Sequence, residues 1–270
     1  MKPIGTVGGE YVASTITCRS GGLSVIMPAY NTAGQIIESL VRVERILDGV
    51  AGDYEVIVVD DGSEDETRDV VESYLRLRPK VKLISYNENV GKGYALRRGF
   101  DMAGGEIVVF LDSDSDIDAA CIESYVEALQ SCDMVIASKR HPKSDYKAPL
   151  MRKILSAAFN IMVKILFGIR YSDTQAGLKA FRKTALAKIM RIGLVKRYAF
   201  DVELLALANM LGLRVKEAPV NVHLDARFSL RHIIYMLIDM MGIFYRLRVI
   251  GWYRKNLNSK TIEYKPIIRI

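Results

Sequence analysis

Glu106-Ile107-Val108-Val109-Phe110-Leu111-Asp112-Ser113-Asp114-Ser115-Asp116 is an apolar run that ends abruptly in carboxylates. Its first six residues predict a buried strand, because Ile107 to Leu111 are apolar without a break and rich in β-branched side chains. If the backbone stays extended past Leu111, alternate side chains point the same way, and Asp112, Asp114 and Asp116 converge. Three like charges repel unless a cation sits among them, and hard oxygen ligands suit Mg²⁺ or Mn²⁺. The competing reading is a solvated acidic loop that caps a helix starting near Asp118. This stretch alone does not choose between them.

The chain around it repeats the pattern. Leu23 to Met27 reads as a strand ending at Pro28-Ala29-Tyr30-Asn31, followed by helical spacing from Gln35 to Leu47. Tyr54 to Val59 is a second strand, ending in Asp60-Asp61-Gly62-Ser63. Ser63 reads as an N-cap with Glu66 completing a capping box, for a helix that runs to Arg78 before Pro79. Val81 to Ser85, then Asn89-Val90-Gly91-Lys92-Gly93 and a helix through Ala103, lead to the acidic strand. A helix from Asp118 to Gln130 and a strand from Met134 to Ser138 follow. This alternation with short links predicts an α/β fold, a Rossmann-like, mostly parallel sheet flanked by helices. Ligands of such sheets bind beyond the carboxyl ends of the strands, and every polar cluster named here lies at such an end. Asp60 can accept a hydrogen bond from a base or ribose, with Pro28 and Tyr30 as a wall; the glycines around Lys92 allow close backbone approach and one cation near a diphosphate. Each cluster also has a plain reading as a turn before a helix.

Later residues are less regular. Arg152 to Gly168 is an apolar helix with interspersed lysines; Asp173 to Gly177 is a polar turn; Leu178 to Phe181 is a short strand. A helix begins at Phe200-Asp201-Val202-Glu203 and ends at Gly212, and Arg214 to Val220 is a final strand. The stretch from Ile233 to Tyr245 is apolar and leads into a basic end with Arg246, Arg248, Trp252, Tyr253, Arg254 and Lys255.

The 270 residues carry 38 Lys and Arg against 31 Asp and Glu, a net charge of +7. Nucleic acid, an anionic membrane or a phosphorylated substrate would all suit that charge. A non-catalytic basic protein accounts for the charge but not for three aspartates at a strand end, which repel phosphate, so no nucleic-acid partner is expected. Three cysteines without metal spacing read as reduced thiols. No stretch reaches about 18 uninterrupted apolar residues, so no membrane span is expected.

In order, Pro28-Ala29-Tyr30-Asn31, Val59-Asp60-Asp61-Gly62-Ser63, Asn89-Val90-Gly91-Lys92-Gly93 and Asp112-Ser113-Asp114 resemble glycosyltransferase family 2, with its GT-A fold. The strings Asp173-Thr174-Gln175-Ala176-Gly177-Leu178-Lys179-Ala180-Phe181, Phe200-Asp201-Val202-Glu203-Leu204-Leu205 and Glu217-Ala218-Pro219-Val220 are similar to its dolichyl-phosphate glucosyltransferase branch, with mannosyl relatives nearby. The resemblance spans roughly residues 23–250 and implies a lead-in at 1–22, a catalytic domain at 23–225 and an amphipathic, membrane-associating C-terminal segment at 226–270.

By that resemblance Pro28, Ala29, Tyr30, Asp60, Asp61, Lys92, Asp112 and Ser113 hold a nucleotide sugar, UDP-glucose or GDP-mannose, and Lys139 and Arg140 reach its phosphates. Asp112, Asp114 and Asp116 bind Mg²⁺ or Mn²⁺, with Asp112 and Asp114 the catalytic pair; Arg227 and Ser229 meet the phosphate of a dolichyl or polyprenyl acceptor. Asp116 stands where mannosyl relatives commonly have glutamine, and Thr32 where a glutamate usually follows the first motif. A Gly-Ser-Lys triplet of relatives is replaced by Ala226-Arg227-Phe228-Ser229. The reaction implied is inverting, and an anionic lipid phosphate needs little help from a base. The expected setting is peripheral, on the cytoplasmic face of a membrane, with a membrane partner subunit or a homo-oligomer as options. The two late apolar helices carry Lys and Arg as interfacial helices do; the first reads equally well as packing on the core or a partner subunit, whereas Trp252 and Tyr253 beside the second read as membrane contacts.

Overall fold

The computed structural model of the chain describes residues 4–7, 10–13, 22–113, 118–175, 177–223 and 230–257. It opens with a hairpin of β1 (Ile4–Val7) and β2 (Glu10–Ala13). The strand–helix alternation follows: β3 (Leu23–Ala29), α1 (Ile36–Val50), β4 (Tyr54–Asp61), α2 (Thr67–Leu75), β5 (Val81–Tyr86), α3 (Lys92–Met102) and β6 (Ile107–Phe110). Then come α4 (Ile122–Ala128), β7 (Met134–Ala137), β8 (Asp145–Lys147), α5 (Leu150–Phe167), β9 (Lys179–Arg182), α6 (Lys183–Ile192) and α7 (Phe200–Met210). The described chain closes with β10 (Val215–Ala218), β11 (Asn221–His223), α8 (Leu230–Phe244), a π-helical turn Tyr245–Val249 and α9 (Trp252–Asn256).

Nine strands form one sheet in the order β1-β2-β5-β4-β3-β6-β9-β7-β10. β5, β4, β3 and β6 are mutually parallel, and β7 and β10 run parallel to each other. β9 is antiparallel to both β6 and β7, and at the opposite end of the sheet β2 is antiparallel to β5 and to β1. Strand order reverses between β3 and β6, the switch point at which such sheets leave a crevice. β4 is buried along its whole length, and its alternate residues feed two cores. Val56 and Val58 pack with Leu40, Val43 and Leu47 of α1; Ile57 and Val59 pack on the other face, where α3 and α7 lie. Burial on both faces is why these strands read as unbroken apolar runs.

Several expectations are corrected. The loose lead-in expected at 1–22 contains β2, which pairs with β5 through Tyr11 opposite Ser85 and Val12 opposite Ile84. Ser63 does not cap α2. The helix starts at Thr67 after Glu66, which makes no side-chain cap, and Asp65 accepts from the Thr67 amide at 2.9 Å. Ser63 instead accepts from the Asn31 amide at 2.9 Å, joining the ends of β3 and β4. The helix α6 carries no strong start signal and was not foreseen. Tyr253 faces inward rather than toward a membrane: it is fully buried, with its hydroxyl 2.5 Å from Glu203 Oε1.

At the amino ends of the strands, away from the polar clusters, a buried ion pair closes the sheet. Glu55 Oε2 lies 2.5 Å from Lys82 Nζ, and Oε1 accepts from Ser24 Oγ and from the Gly104 amide, each at 2.6 Å. Burial opposes ionisation of Glu55, but Lys82, Ser24 and Gly104 outweigh it and hold the carboxyl below its ordinary value. The stabilisation is therefore complete above the unfolded carboxylate's value, about 4.3, and is lost as pH falls through the lower folded value. Glu55→Gln strands a buried ammonium and is expected to cost about 3 kcal/mol at neutral pH in urea unfolding, with the gap to the native chain narrowing below pH ~4.

Candidate active site

The parallel strands bring Tyr30-Asn31, Gly62-Ser63, Asn89 to Gly91 and Asp112 to a single edge. Because β9 is antiparallel, the Asp173 turn that precedes it comes to the same edge, and the end of β7 brings Lys139 and Arg140. The edge is knitted by side chains. Asn31 adopts a left-handed φ of 53°, which Asn tolerates better than most residues, and its Oδ1 accepts from the Glu64 amide at 2.8 Å. Gly62, at φ 68°, is needed for another reason as well: a Cβ there would lie 2.4 Å from the Glu88 carbonyl carbon.

Asp60 and Asp61 are both buried. Asp60 sits opposite Ala29 in the sheet, accepting from the Ser63 amide at 3.1 Å and from Ser85 Oγ at 2.8 Å. Asp61 accepts from the Tyr86 hydroxyl at 2.7 Å and from the amides of Val90 and Gly91 at 3.0 and 2.8 Å. Burial pushes the Asp61 carboxyl above its ordinary value; the three donors pull the other way, and Asp60 adds repulsion. Asp61 thereby holds the turn that begins α3 and fixes its first residue, Lys92.

Lys92 Nζ lies 2.5 Å from Asp112 Oδ1 and 3.9 Å from Asp201 Oδ2. Asp201, in the first turn of α7, also receives the buried Lys179 Nζ at 2.8 Å. Burial works against its charge, but Lys179, Lys92 and Lys139 hold its carboxyl below the ordinary value. Lys139 pairs with Asp173, 3.4 Å between Nζ and Oδ2, and its amide donates to the same oxygen at 3.0 Å. Arg140 is exposed. Ser113 is buried, and its carbonyl accepts from Ser39 Oγ at 3.0 Å. Pro28 is half-buried, and Tyr30 is 41% exposed at the mouth of the edge.

The structure thus joins Lys92 directly to Asp112 and keeps Tyr30, Asp60 and Asp61 beside them, while Lys139 is held by Asp173. Asp114, Asp116, Arg227 and Ser229 lie outside the described residues. β6 ends at Phe110, before the first aspartate, so the extended-strand argument for convergence does not carry to Asp112. Among the described residues no three potential metal ligands stand together. Asp112 does fit a hard divalent ion: it is a carboxylate, partly open, and already holds a cation.

Two groups went unread in the sequence. Tyr198 is 49% exposed and feels the charges of Lys92, Asp61 and Asp112, with Tyr30 near; burial of its ring raises its hydroxyl's pKa. Its position just before Phe200-Asp201 was the available signal. Glu203 is buried, with its carboxylate oxygens 2.9 and 2.8 Å from the amides of Leu194 and Val195, and it ties the loop carrying Tyr198 to Tyr253.

A sheet with this order, its antiparallel insertion and a charged edge at the switch point define a GT-A fold. The chain belongs to glycosyl transferase family 2, whose description matches residues 24–190. It is similar to a dolichyl-phosphate β-glucosyltransferase of Trichomonas vaginalis, 31% identical over 247 residues, 86% of this chain and 73% of that one. The human protein of that name is 34% identical over 215 residues, 74% of this chain and 66% of that one. That of Dictyostelium discoideum is 33% identical, over 74% of this chain and 65% of that one. The chain therefore spans about two thirds to three quarters of the length of these relatives. Among solved structures, a glucosyl-3-phosphoglycerate synthase of Mycobacterium tuberculosis superposes with a TM-score of 0.62 at 21% identity, over 83% of this chain and 79% of that one. The same enzyme in complex with Mn²⁺, UDP and phosphoglyceric acid gives 0.62 at 20% identity. The family read from the strand-end motifs and the family found by comparison are the same.

Asp61→Asn replaces one acceptor oxygen by a donor that faces the amides of Val90 and Gly91. A loss of about 2 kcal/mol in thermal or urea unfolding is expected, with weaker nucleotide binding by calorimetry because the start of α3 loosens.

Proposed function

We propose that this chain transfers glucose from UDP-glucose to dolichyl or another polyprenyl phosphate, with inversion, giving a β-linked lipid-phosphate sugar. The observation that carries this reading is the likeness to dolichyl-phosphate β-glucosyltransferases over most of the chain, including residues beyond the family match. The mannosyl alternative from GDP-mannose has no such support among the relatives named here.

We assign the roles as follows, on the family resemblance and on the contacts described above. Asp60, with Tyr30 and Pro28 beside it, receives the nucleoside, and the exposed Tyr198 adds a second aromatic face. Lys92, Lys139 and Arg140 supply positive charge around the diphosphate. A divalent ion, Mg²⁺ or Mn²⁺, held by Asp112 together with Asp114 and Asp116, would offset the charge growing on the leaving diphosphate. An oxygen of the acceptor phosphate attacks the anomeric carbon as the bond to the diphosphate breaks, so UDP leaves and the configuration inverts. The attacking group is already anionic, so positioning and electrostatics, not a base, carry the rate. Arg227 and Ser229 would gather the acceptor phosphate.

The lipid acceptor calls for a membrane surface. Among the described residues no helix is long and apolar enough to cross one. α5, however, exposes Leu150, Ile154, Ile161 and Ile165 at helical spacing, with Arg152, Lys153 and Lys164 on the same helix. α8 exposes Ile234, Ile238 and Met241, and the basic Arg246 and Arg248 follow it. Apolar stripes flanked by cations suit a peripheral seat on an anionic, cytoplasm-facing leaflet.

Two measurements test this. Label from UDP-glucose is expected to enter the chloroform phase with a short polyprenyl phosphate, to vanish with EDTA, and to fall at least about a hundredfold in Asp112→Asn; label from GDP-mannose instead would change the sugar. Flotation with vesicles containing anionic lipid is expected to recover the native chain and to lose an Ile154→Glu/Ile165→Glu variant that keeps its nucleotide binding.

A further inference from the structure

Four charges stand in a row at the site: Asp112, Lys92, Asp201 and Lys179. Lys92 Nζ contacts Asp112 at 2.5 Å and lies 3.9 Å from Asp201, whose other oxygen takes Lys179 at 2.8 Å. The row is neutral and graded in exposure. The Asp112 side chain is 27% exposed and that of Lys92 19%, against 9% for Asp201 and 2% for Lys179. Lys179 is therefore walled in, whereas Lys92 lies toward the open end with a carboxylate on either side.

An ammonium 2.5 Å from Asp112 Oδ1 repels a divalent cation that approaches the same carboxylate. We propose that Asp201 is a positioning residue for the transfer: it is a second berth to which Lys92 withdraws when the metal and the nucleoside diphosphate reach Asp112. This rests on the reading of Asp112 as a cation ligand. Before the donor arrives, Lys92 neutralises Asp112 and keeps an uncompensated carboxylate from the crevice. Afterwards the ammonium, parked on Asp201, no longer competes for the ligand oxygen and still faces the diphosphate. Asp201 suits the part because its Oδ2 already lies 3.9 Å from Lys92 Nζ, and because the first turn of α7 favours a negative charge.

The test is a double-mutant cycle read by Mn²⁺ affinity, from the electron paramagnetic resonance signal of the free ion, without nucleotide. Lys92→Met removes the competitor and is expected to tighten Mn²⁺ binding about tenfold. Asp201→Asn removes the berth and is expected to weaken binding about tenfold in the native background. In the Lys92→Met background the same change should shift affinity less than about twofold, because no lysine is left to displace. Equal weakening in both backgrounds would mean that Asp201 acts only as a distant charge, and the proposal fails. So does a Lys92→Met chain that binds Mn²⁺ no tighter than the native one. If Asp201→Asn does not fold with Lys179 unpaired, the cycle runs with Lys179→Met/Asp201→Asn, which removes the buried pair as a unit. Asp112→Asn separates the two levels. Loss of Mn²⁺ binding there with an additive cycle overturns the berth alone, and unchanged binding overturns the metal reading together with it.

Discussion

The two carboxylate oxygens of Asp61 decide where the cation of the site stands. A buried carboxylate is costly unless its hydrogen bonds are complete. Here three donors come from two places: the next strand through Tyr86, and the turn through Val90 and Gly91. Satisfying Asp61 thus fixes the end of β4, the end of β5 and the first turn of α3 as one unit. Gly91, at φ 118°, turns the chain so that α3 begins with Lys92, whose ammonium reaches Asp112 on the far side of β3. The crevice at the switch point is closed underneath by this chain of contacts, and its polar lining comes from the same residues.

The polar residues at strand ends were legible because strands buried on both faces read as short, unbroken apolar runs that alternate with helical spacing. Once an unbroken apolar run such as Tyr54 to Val59 is taken as parallel strand, the Asp60-Asp61 that ends it must lie on the ligand edge. What stayed hidden was partner choice across long separations. Nothing local says that β9 enters antiparallel between β6 and β7, or that β2 adds to β5, because pairing depends on what edge remains open after the rest has folded. Ser63 and Glu66 satisfied the local rule for a cap, yet Ser63 is claimed by the Asn31 amide, and the first amide of α2 bonds to Asp65 instead. A local rule lost to a contact 32 residues away.

Charged residues have inward partners that the sequence does not show. Lys92 and Asp61 read as ligand-facing groups, and in the structure Lys92 also meets Asp112 and Asp201, while Asp61 accepts from Tyr86, Val90 and Gly91. Tyr253 looked like an interfacial aromatic because it sits among lysines and arginines. Its ring is buried, and its hydroxyl bridges Glu203 and Arg246. Amphipathic side chains bury or expose according to whether a partner waits inside, and that partner, Glu203, is 50 residues earlier.

Glu203 also shows how the two ends of a lipid-directed transfer can be held in one geometry. The loop it grips, from Leu194 onward, continues into Lys196, whose carbonyl accepts from the Tyr94 amide in α3 at 3.0 Å. The next residue, Arg197, lies over the Tyr235 ring of α8 at 4.9 Å, and the one after it, Tyr198, faces the charges at the donor edge. Three consecutive residues therefore touch the helix that begins with Lys92, the helix with the exposed apolar stripe, and the crevice between them. A water-soluble donor and a membrane-bound acceptor must meet within a bond length, and a misplacement of even an ångström is costly to rate. Clamping this loop from below with a single buried carboxylate, instead of leaving it to the surface, keeps the donor edge in register with the helices that would meet the bilayer.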